Sequence, residues 1–265
     1  MTTTTLQTEI AIPKKSVLRL LLRCVTTIAG LSMVVKGMGF LRDAAAASVF
    51  GTSDSMDAYI LALSIPTLLA GLLAEAMPTE LIPAYAKAKN TNGEESAIKV
   101  VANAIFFQAA ITAGICLILL LISQPLVHLL AGNFGAEKAA LSRNLFLLLL
   151  LFSILLSTAH AVTAALQAEK RFVLAALSPA IIPSVAIATL FALHGTLGIY
   201  SLASGLVVGA FVYLCVLLGG AVNQFGSACL VPRFRGLENS KFLGNSMLLL
   251  LGSAIFGGCV MIDVA

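Results

Sequence analysis

Long runs of Leu, Ala, Ile and Val follow one another along this chain, separated by short polar stretches. Several runs reach the ~18–20 residues needed to cross a hydrocarbon core of about 30 Å as a helix. Six complete spans are predicted, at roughly 20–41, 57–78, 99–122, 141–165, 173–194 and 197–221, and a seventh begins at 243. The runs from Val100 to Ile122 and from Leu145 through LLLLLLFSILLS are the clearest. The fifth holds Pro179 and Pro183, so a kink or local break is expected there. A bilayer tolerates such a break only where neighbours or cavity water satisfy the freed backbone groups.

Composition supports the same reading. Of 265 residues, 59% are hydrophobic and 11% charged, against roughly 25% charged in soluble domains. The mean hydropathy is +1.02. An all-α integral membrane protein follows. Trp is absent, which leaves Tyr59, Tyr85, Tyr200 and Tyr213 as interfacial aromatics. The formal charge of +4 does not indicate nucleic acid, because Lys and Arg sit between apolar runs and not on one solvated face.

Charge sets the orientation. With a cytoplasmic N-terminus, twelve of the sixteen Lys and Arg residues fall inside, among them Lys14, Lys15, Lys89, Lys170 and Arg171. Three fall outside (Arg42, Lys138 and Arg143), and Lys36 lies within a span. That is the positive-inside pattern. The polar tail MTTTTLQTEIAIPKK is followed by a run that Arg19 and Arg23 interrupt, so a retained first span is expected and not a cleaved signal.

Catalytic signatures are sparse. No HExxH, GxSxG, P-loop or aspartate-rich metal motif occurs. The five cysteines include no CxxC, and four lie in apolar runs as small hydrophobes. His128, His160 and His194 are far apart and read as packed or interfacial side chains. No metal or cofactor is expected. The GMGF stretch, a lone Gly-x-Gly in an apolar helix, is explained by close helix packing better than by phosphate binding.

The informative residues are charges within or beside the spans. A central charge costs at least ~2.5–3.5 kcal/mol, so it usually faces a wet cavity or a partner. Lys36 and Asp43 share a helix face about 10 Å apart along the axis, with Gly39 between them. Asp57, Ser64, Gly71 and Glu75 form a second polar stripe, whose ends are separated by about 27 Å. In the fourth span Ser153, Ser157, His160 and Gln167 recur at helical spacing, as interhelical hydrogen bonding requires. A cation held in a membrane cavity suits an anionic headgroup such as a phosphate, with Lys as a point charge and Arg as a fork.

At these residues the sequence resembles a known family. Gly39, Phe40, Arg42, Asp43, Phe50, Gly51, Asp57, Ala58, Pro66, Leu68, Leu69, Ala74, Glu75 and Pro83 follow the order and spacing of the MurJ/MviN opening. LQAEKRFVLAALSP and GSAIFGGCVMIDVA are similar to later parts of the same pattern. The family belongs to the multidrug/oligosaccharidyl-lipid/polysaccharide exporters, whose two six-helix lobes flip lipid-linked sugars by alternating access. The resemblance implies a polar tail (1–16), an N-terminal six-helix lobe (17–240) and the start of a second lobe (241–265) of a two-lobe transporter fold.

It also implies a multi-pass protein of the bacterial cytoplasmic membrane, a transporter and not an enzyme. Its partners would be an undecaprenyl-pyrophosphate-linked oligosaccharide such as lipid II, the bilayer and cell-wall synthesis proteins. Lys36 and Arg42 would meet the pyrophosphate in the cavity. Asp43, Asp57 and Glu75 would join gating charge networks, and Asp263 is a candidate for a coupling cation. The chain departs from the family pattern at Val35-Lys36 in place of Ser-Arg, at Thr67 in place of Asn, and at Ala70-Gly71 in place of Arg-Arg. An exopolysaccharide-precursor flippase, a drug exporter of the same superfamily and a non-transporting membrane scaffold are the alternatives.

Overall fold

The computed structural model describes residues 14–132 and 134–232. Eight α-helices account for nearly all of them: α1 (Lys14–Phe50), α2 (Asp54–Asn92), α3 (Glu94–Leu121), α4 (Ser123–Ala131), α5 (Ala136–Ala168), α6 (Phe172–Leu177), α7 (Ile181–Leu197) and α8 (Tyr200–Phe225). Among the described residues five helical stretches are long and apolar enough to cross a membrane: α2, α3, α5, the α6–α7 pair and α8. The first expected span falls in α1, whose 37 residues reach about 55 Å. The seventh lies outside the described residues.

Local chemistry sets the boundaries. Gly51 closes α1 at φ +55°, a conformation that costs an L side chain energy. Ser53 caps α2, its hydroxyl accepting from the Met56 N–H, and Asp54 and Asp57 lie in the first turn, where the helix dipole favours anions. Helix α2 then carries Pro66, Pro78 and Pro83 within its length. It also runs on to Asn92, past the expected span end at 78, because the polar residues there continue the helix into the aqueous phase. The fifth span breaks as its prolines require, with a 3-10 turn at Ser178–Ala180 between α6 and α7. One element was not anticipated: α4, a nine-residue helix between the third and fourth spans, too short to stand out from its flanking apolar runs.

Helix α5 is the centre of the lobe. It packs along α2, α3 and α8, while α8 also lies along α7. Leu145, Leu149, Ala161, Val162, Ala164 and Ala165 of α5 are fully buried. The α7–α8 approach is close, made possible by GLVVG in α8. A Cβ on Gly205 would sit 2.9 Å from the Cα of Ala186, and one on Gly209 would sit 2.9 Å from the Ile182 carbonyl oxygen. Small residues four apart let two backbones meet in this way. Close packing was expected of GMGF, and no partner for it lies within the described lobe. Among the described residues nothing lies within 4 Å of a Cβ built on Gly37 or Gly39, because α1 touches the lobe mainly through α6, the 178–180 turn and α7. The GMGF glycines face away from that contact.

Candidate functional site

Two polar clusters cap the lobe, with a band of hydrogen bonds between them. At the end bearing the α1–α2 turn, Lys138 in the first turn of α5 bridges two carboxylates of α2. Its Nζ lies 2.8 Å from Asp54 Oδ1 and 2.7 Å from Asp57 Oδ2. The same ammonium sits 4.2 Å from the centroid of the Phe134 ring, a cation–π arrangement. Its side chain is only 16% exposed, against 88% for Asp54. The cluster holds two negative charges and one positive, so it tolerates a further cation better than an anion.

At the opposite end, α2, α5 and α8 are tied together. The Tyr85 hydroxyl and the Lys89 ammonium both donate to Glu169 Oε1, and Tyr85 packs edge-on to Phe225 with centroids 6.0 Å apart. These donors, Lys89 first, hold the Glu169 carboxyl below its ordinary pKa. Beside them Arg171 Nε donates to Gln224 Oε1 at 3.2 Å.

Between the ends, buried hydroxyls link the helices. Ser153 Oγ donates to the Pro66 carbonyl of α2 at 3.0 Å. Ser157 Oγ donates to Thr112 Oγ1 at 2.9 Å, and Thr112 donates to the Gln108 carbonyl. Ser153 and Ser157 of the fourth-span stripe are therefore interhelical links. His160 is half-buried.

The face of α1 contrasts with these satisfied clusters. Lys36 is exposed and has no ion-pair or hydrogen-bond partner among the described residues. Around it Met33 is 78% and Phe40 73% exposed. Arg42 lies one helical turn and a half further on and is occupied by its neighbour: Nη2 is 2.6 Å and Nε 3.0 Å from Asp43 Oδ1. Asp43 stays 66% exposed at its side chain. On α2, Thr67 donates to the Leu63 and Ser64 carbonyls, Ala70 is 1% exposed, and Gly71 is exposed with nothing within 4 Å of its Cβ position.

Asp43 and Asp57 thus belong to separate ion pairs, and Lys36 and Arg42 lie on one helix. The Glu75 side chain and Asp263 lie outside the described residues. Sequence reasoning missed Lys138, which had only been counted as an outer cation. Its i, i+3 pair of acids at the start of α2 was a usable signal, but 81 residues separate Lys138 from Asp57. Among the described residues no group of three or more His, Cys, Asp or Glu gathers as a metal site.

Apolar spans and a proline-broken helix define an all-α multi-pass membrane protein, with Lys36 unpaired among the described residues on one face of the lobe. The fold agrees with two solved structures. One is a lipid II flippase MurJ in an inward closed conformation, with TM-score 0.71 and 20% identity, covering 87% of this chain and 48% of that one. The other is a MOP superfamily transporter from Pyrococcus furiosus, with TM-score 0.73 and 14% identity, covering 91% and 53%. The family model described as "Lipid II flippase MurJ" matches residues 46–265, and the chain belongs to that family. It is 25% identical over 191 residues to a probable lipid II flippase MurJ of Borreliella burgdorferi, covering 69% of this chain and 37% of that protein. It is also 25% identical over 205 residues to a lipid II flippase MurJ of Burkholderia cenocepacia, covering 76% and 40%. The chain therefore spans less than half the length of these curated relatives. The family match starts after Gly39–Asp43, so the α1 charges rest on the motif residues themselves.

Proposed function

We propose that this chain is the N-terminal lobe of a flippase. Its cargo would be an undecaprenyl-pyrophosphate-linked glycolipid, lipid II or a similar cell-wall precursor, moved from the inner to the outer face of the bacterial cytoplasmic membrane. The observation that carries this reading is Lys36, exposed and without a described partner on an apolar helix. A charge at that depth costs at least ~2.5–3.5 kcal/mol unless it meets water or a counter-ion. A cavity shared with a second lobe supplies both, and the open space over Gly37, Gly39 and Gly71 leaves room for a headgroup.

In this reading the N-terminus is cytoplasmic, which puts Lys138 outside and Lys89, Lys170 and Arg171 inside. Lys36 attracts the pyrophosphate as a point charge. Arg42 is held by Asp43 until an anion competes for its guanidinium, so substrate binding frees Asp43 for the opposite lobe. The Lys138 bridge and the Glu169 cluster join helices within one lobe. The lobe then rocks as one body between inward and outward access, and no covalent step is needed.

A cargo other than lipid II is the second reading, favoured by Ala70-Gly71. The family pattern has two arginines here, whereas this chain has a buried alanine and an exposed glycine. The test is complementation of a strain depleted of its lipid II flippase by the full-length gene. Growth is expected, and it should be lost in Lys36→Ala and Arg42→Ala variants that still insert. Unchanged growth in both variants refutes the site. Failure of a well-expressed parent gene moves the cargo to another lipid-linked glycan, such as an exopolysaccharide precursor.

A further inference from the structure

A cavity of about 780 Å³ lies at the Glu169 end of the lobe, and α6, the 178–180 turn and α7, which line it, are also the elements that α1 touches. Its walls are the end of α5, α6, the start of α7 and the last turns of α8. Lys170, Arg171 and Gln224 stand at its mouth, and Leu174, Leu177, Ile181 and Val216 line it further in. The order along each wall is what matters. From Gln224 to Val216 along α8 the wall runs about 12 Å, at 1.5 Å per residue, and the facing wall runs from Arg171 through α6 and the 178–180 turn to Ile181. One wall runs from Lys170 and Arg171 to Leu177, Ser178 and Ile181 and the other from Gln224 and Asn223 to Val216, mostly apolar away from the cations, as a phospholipid runs from headgroup to acyl chain.

The mouth is built for an anion. Gln224 accepts from Arg171 Nε, which fixes the guanidinium, and no described residue binds its Nη groups. The neighbouring carboxylate, Glu169, is engaged first by Lys89 and Tyr85 and only more weakly by the Arg171 charge, so Lys170 and Arg171 keep net positive charge at the mouth. Lys170 itself is the one described non-glycine residue at positive φ (+60°). It occupies the position after α5 where a glycine commonly closes a helix: Arg171 N–H donates to the Leu166 carbonyl and Lys170 N–H to the Gln167 carbonyl. A lysine there costs about 1 kcal/mol relative to glycine, and what it supplies in return is a cation at the mouth.

We propose that this groove holds an anionic phospholipid of the inner leaflet, its phosphodiester on Lys170 and Arg171 and one acyl chain along Leu177, Ile181 and Val216. Basic pockets between helices on the cytoplasmic side are a recognised way of binding such headgroups. The inference uses the orientation proposed above but not the cargo or the transport step.

The test is native mass spectrometry of the full-length protein in mild detergent with phosphatidylglycerol or phosphatidylcholine. The parent should retain phosphatidylglycerol in preference to phosphatidylcholine. Each basic residue near an anionic lipid is worth a factor of about five, so Lys170→Gln with Arg171→Gln should weaken retention roughly twenty-fivefold. Lys170→Gly keeps the helix end in its preferred conformation and should weaken retention about fivefold with no loss of thermal stability, which separates binding from folding. Val216→Trp should displace the lipid while both cations remain. Retention unchanged in the double variant overturns the proposal, and so does displacement of the lipid by inorganic phosphate at equal concentration. The readout is binding, so a failed complementation leaves it standing and a failed binding leaves the transport reading standing.

Discussion

Replacing Gly209 by alanine puts one methyl group into a tight helix contact of the lobe. The new Cβ would lie 2.9 Å from the Ile182 carbonyl oxygen, 3.0 Å from its Cα and 3.4 Å from its carbonyl carbon. All three atoms are backbone, so no rotamer change relieves them and α7 must move away from α8 by about half an ångström. Overpacking of this kind costs about 1–3 kcal/mol. Alanine also stabilises a helix by up to about 1 kcal/mol relative to glycine, which would hide part of the loss. Gly219 on the same helix removes this ambiguity, since nothing lies within 4 Å of its Cβ position. Gly219→Ala carries the propensity gain alone, so the difference between the variants is the packing cost. Gly209→Ala should melt roughly 2–12 °C below Gly219→Ala, at about 2–4 °C per kcal/mol for a chain of this size. The protein has no tryptophan, so melting is best followed with a fluorogenic thiol dye that reports exposure of the buried Cys116 and Cys229. Equal melting temperatures would refute the close α7–α8 contact.

Three further outcomes follow from the polar clusters. Ser157→Ala removes the hydrogen bond to Thr112, but Thr112 keeps its own acceptor, so the loss should be near 0.6 kcal/mol and under about 2 kcal/mol by the same melt. Lys138→Met leaves Asp54 and Asp57 facing each other without their cation, so its melting temperature should fall below the parent's, and less so when Asp54→Asn and Asp57→Asn are already present. An equal fall in both backgrounds would mean the bridge does not hold α2 to α5. Glu169 has a depressed pKa in the folded protein. Its contribution is therefore complete above the ordinary glutamate value of about 4.3 and is lost as pH falls through the lower folded value. Melting temperature should drop on acidification below pH ~4 in the parent and less steeply in Glu169→Gln.

How far the sequence carried the description depends on the range of each interaction. The existence of the first six spans and the break at Pro179 follow from neighbours within a few residues, and each was legible. So was the family, from Gly39 to Pro83 in order. Helix lengths were less legible, because hydropathy marks where a helix leaves the membrane and not where it ends; α2 continues to Asn92 for that reason. The short α4 left no clear periodicity of its own.

The candidate site divides in the same way. An unusual charge such as Lys36 is visible in one dimension, since hydrocarbon penalises it wherever the chain turns. Its lack of a described partner, and the pairing of Asp57 with Lys138 across 81 residues, depend on which helices lie side by side. The two glycine motifs show the limit most clearly. GMGF and GLVVG have similar composition and both lie in apolar helices, yet only the second meets a neighbouring backbone in the described lobe. Composition and spacing determined by themselves that the chain is a bundle of membrane helices with a charge that burial in lipid would penalise. Only the tertiary structure decided which face of each helix is covered, because that depends on shape fit between segments that the sequence keeps far apart.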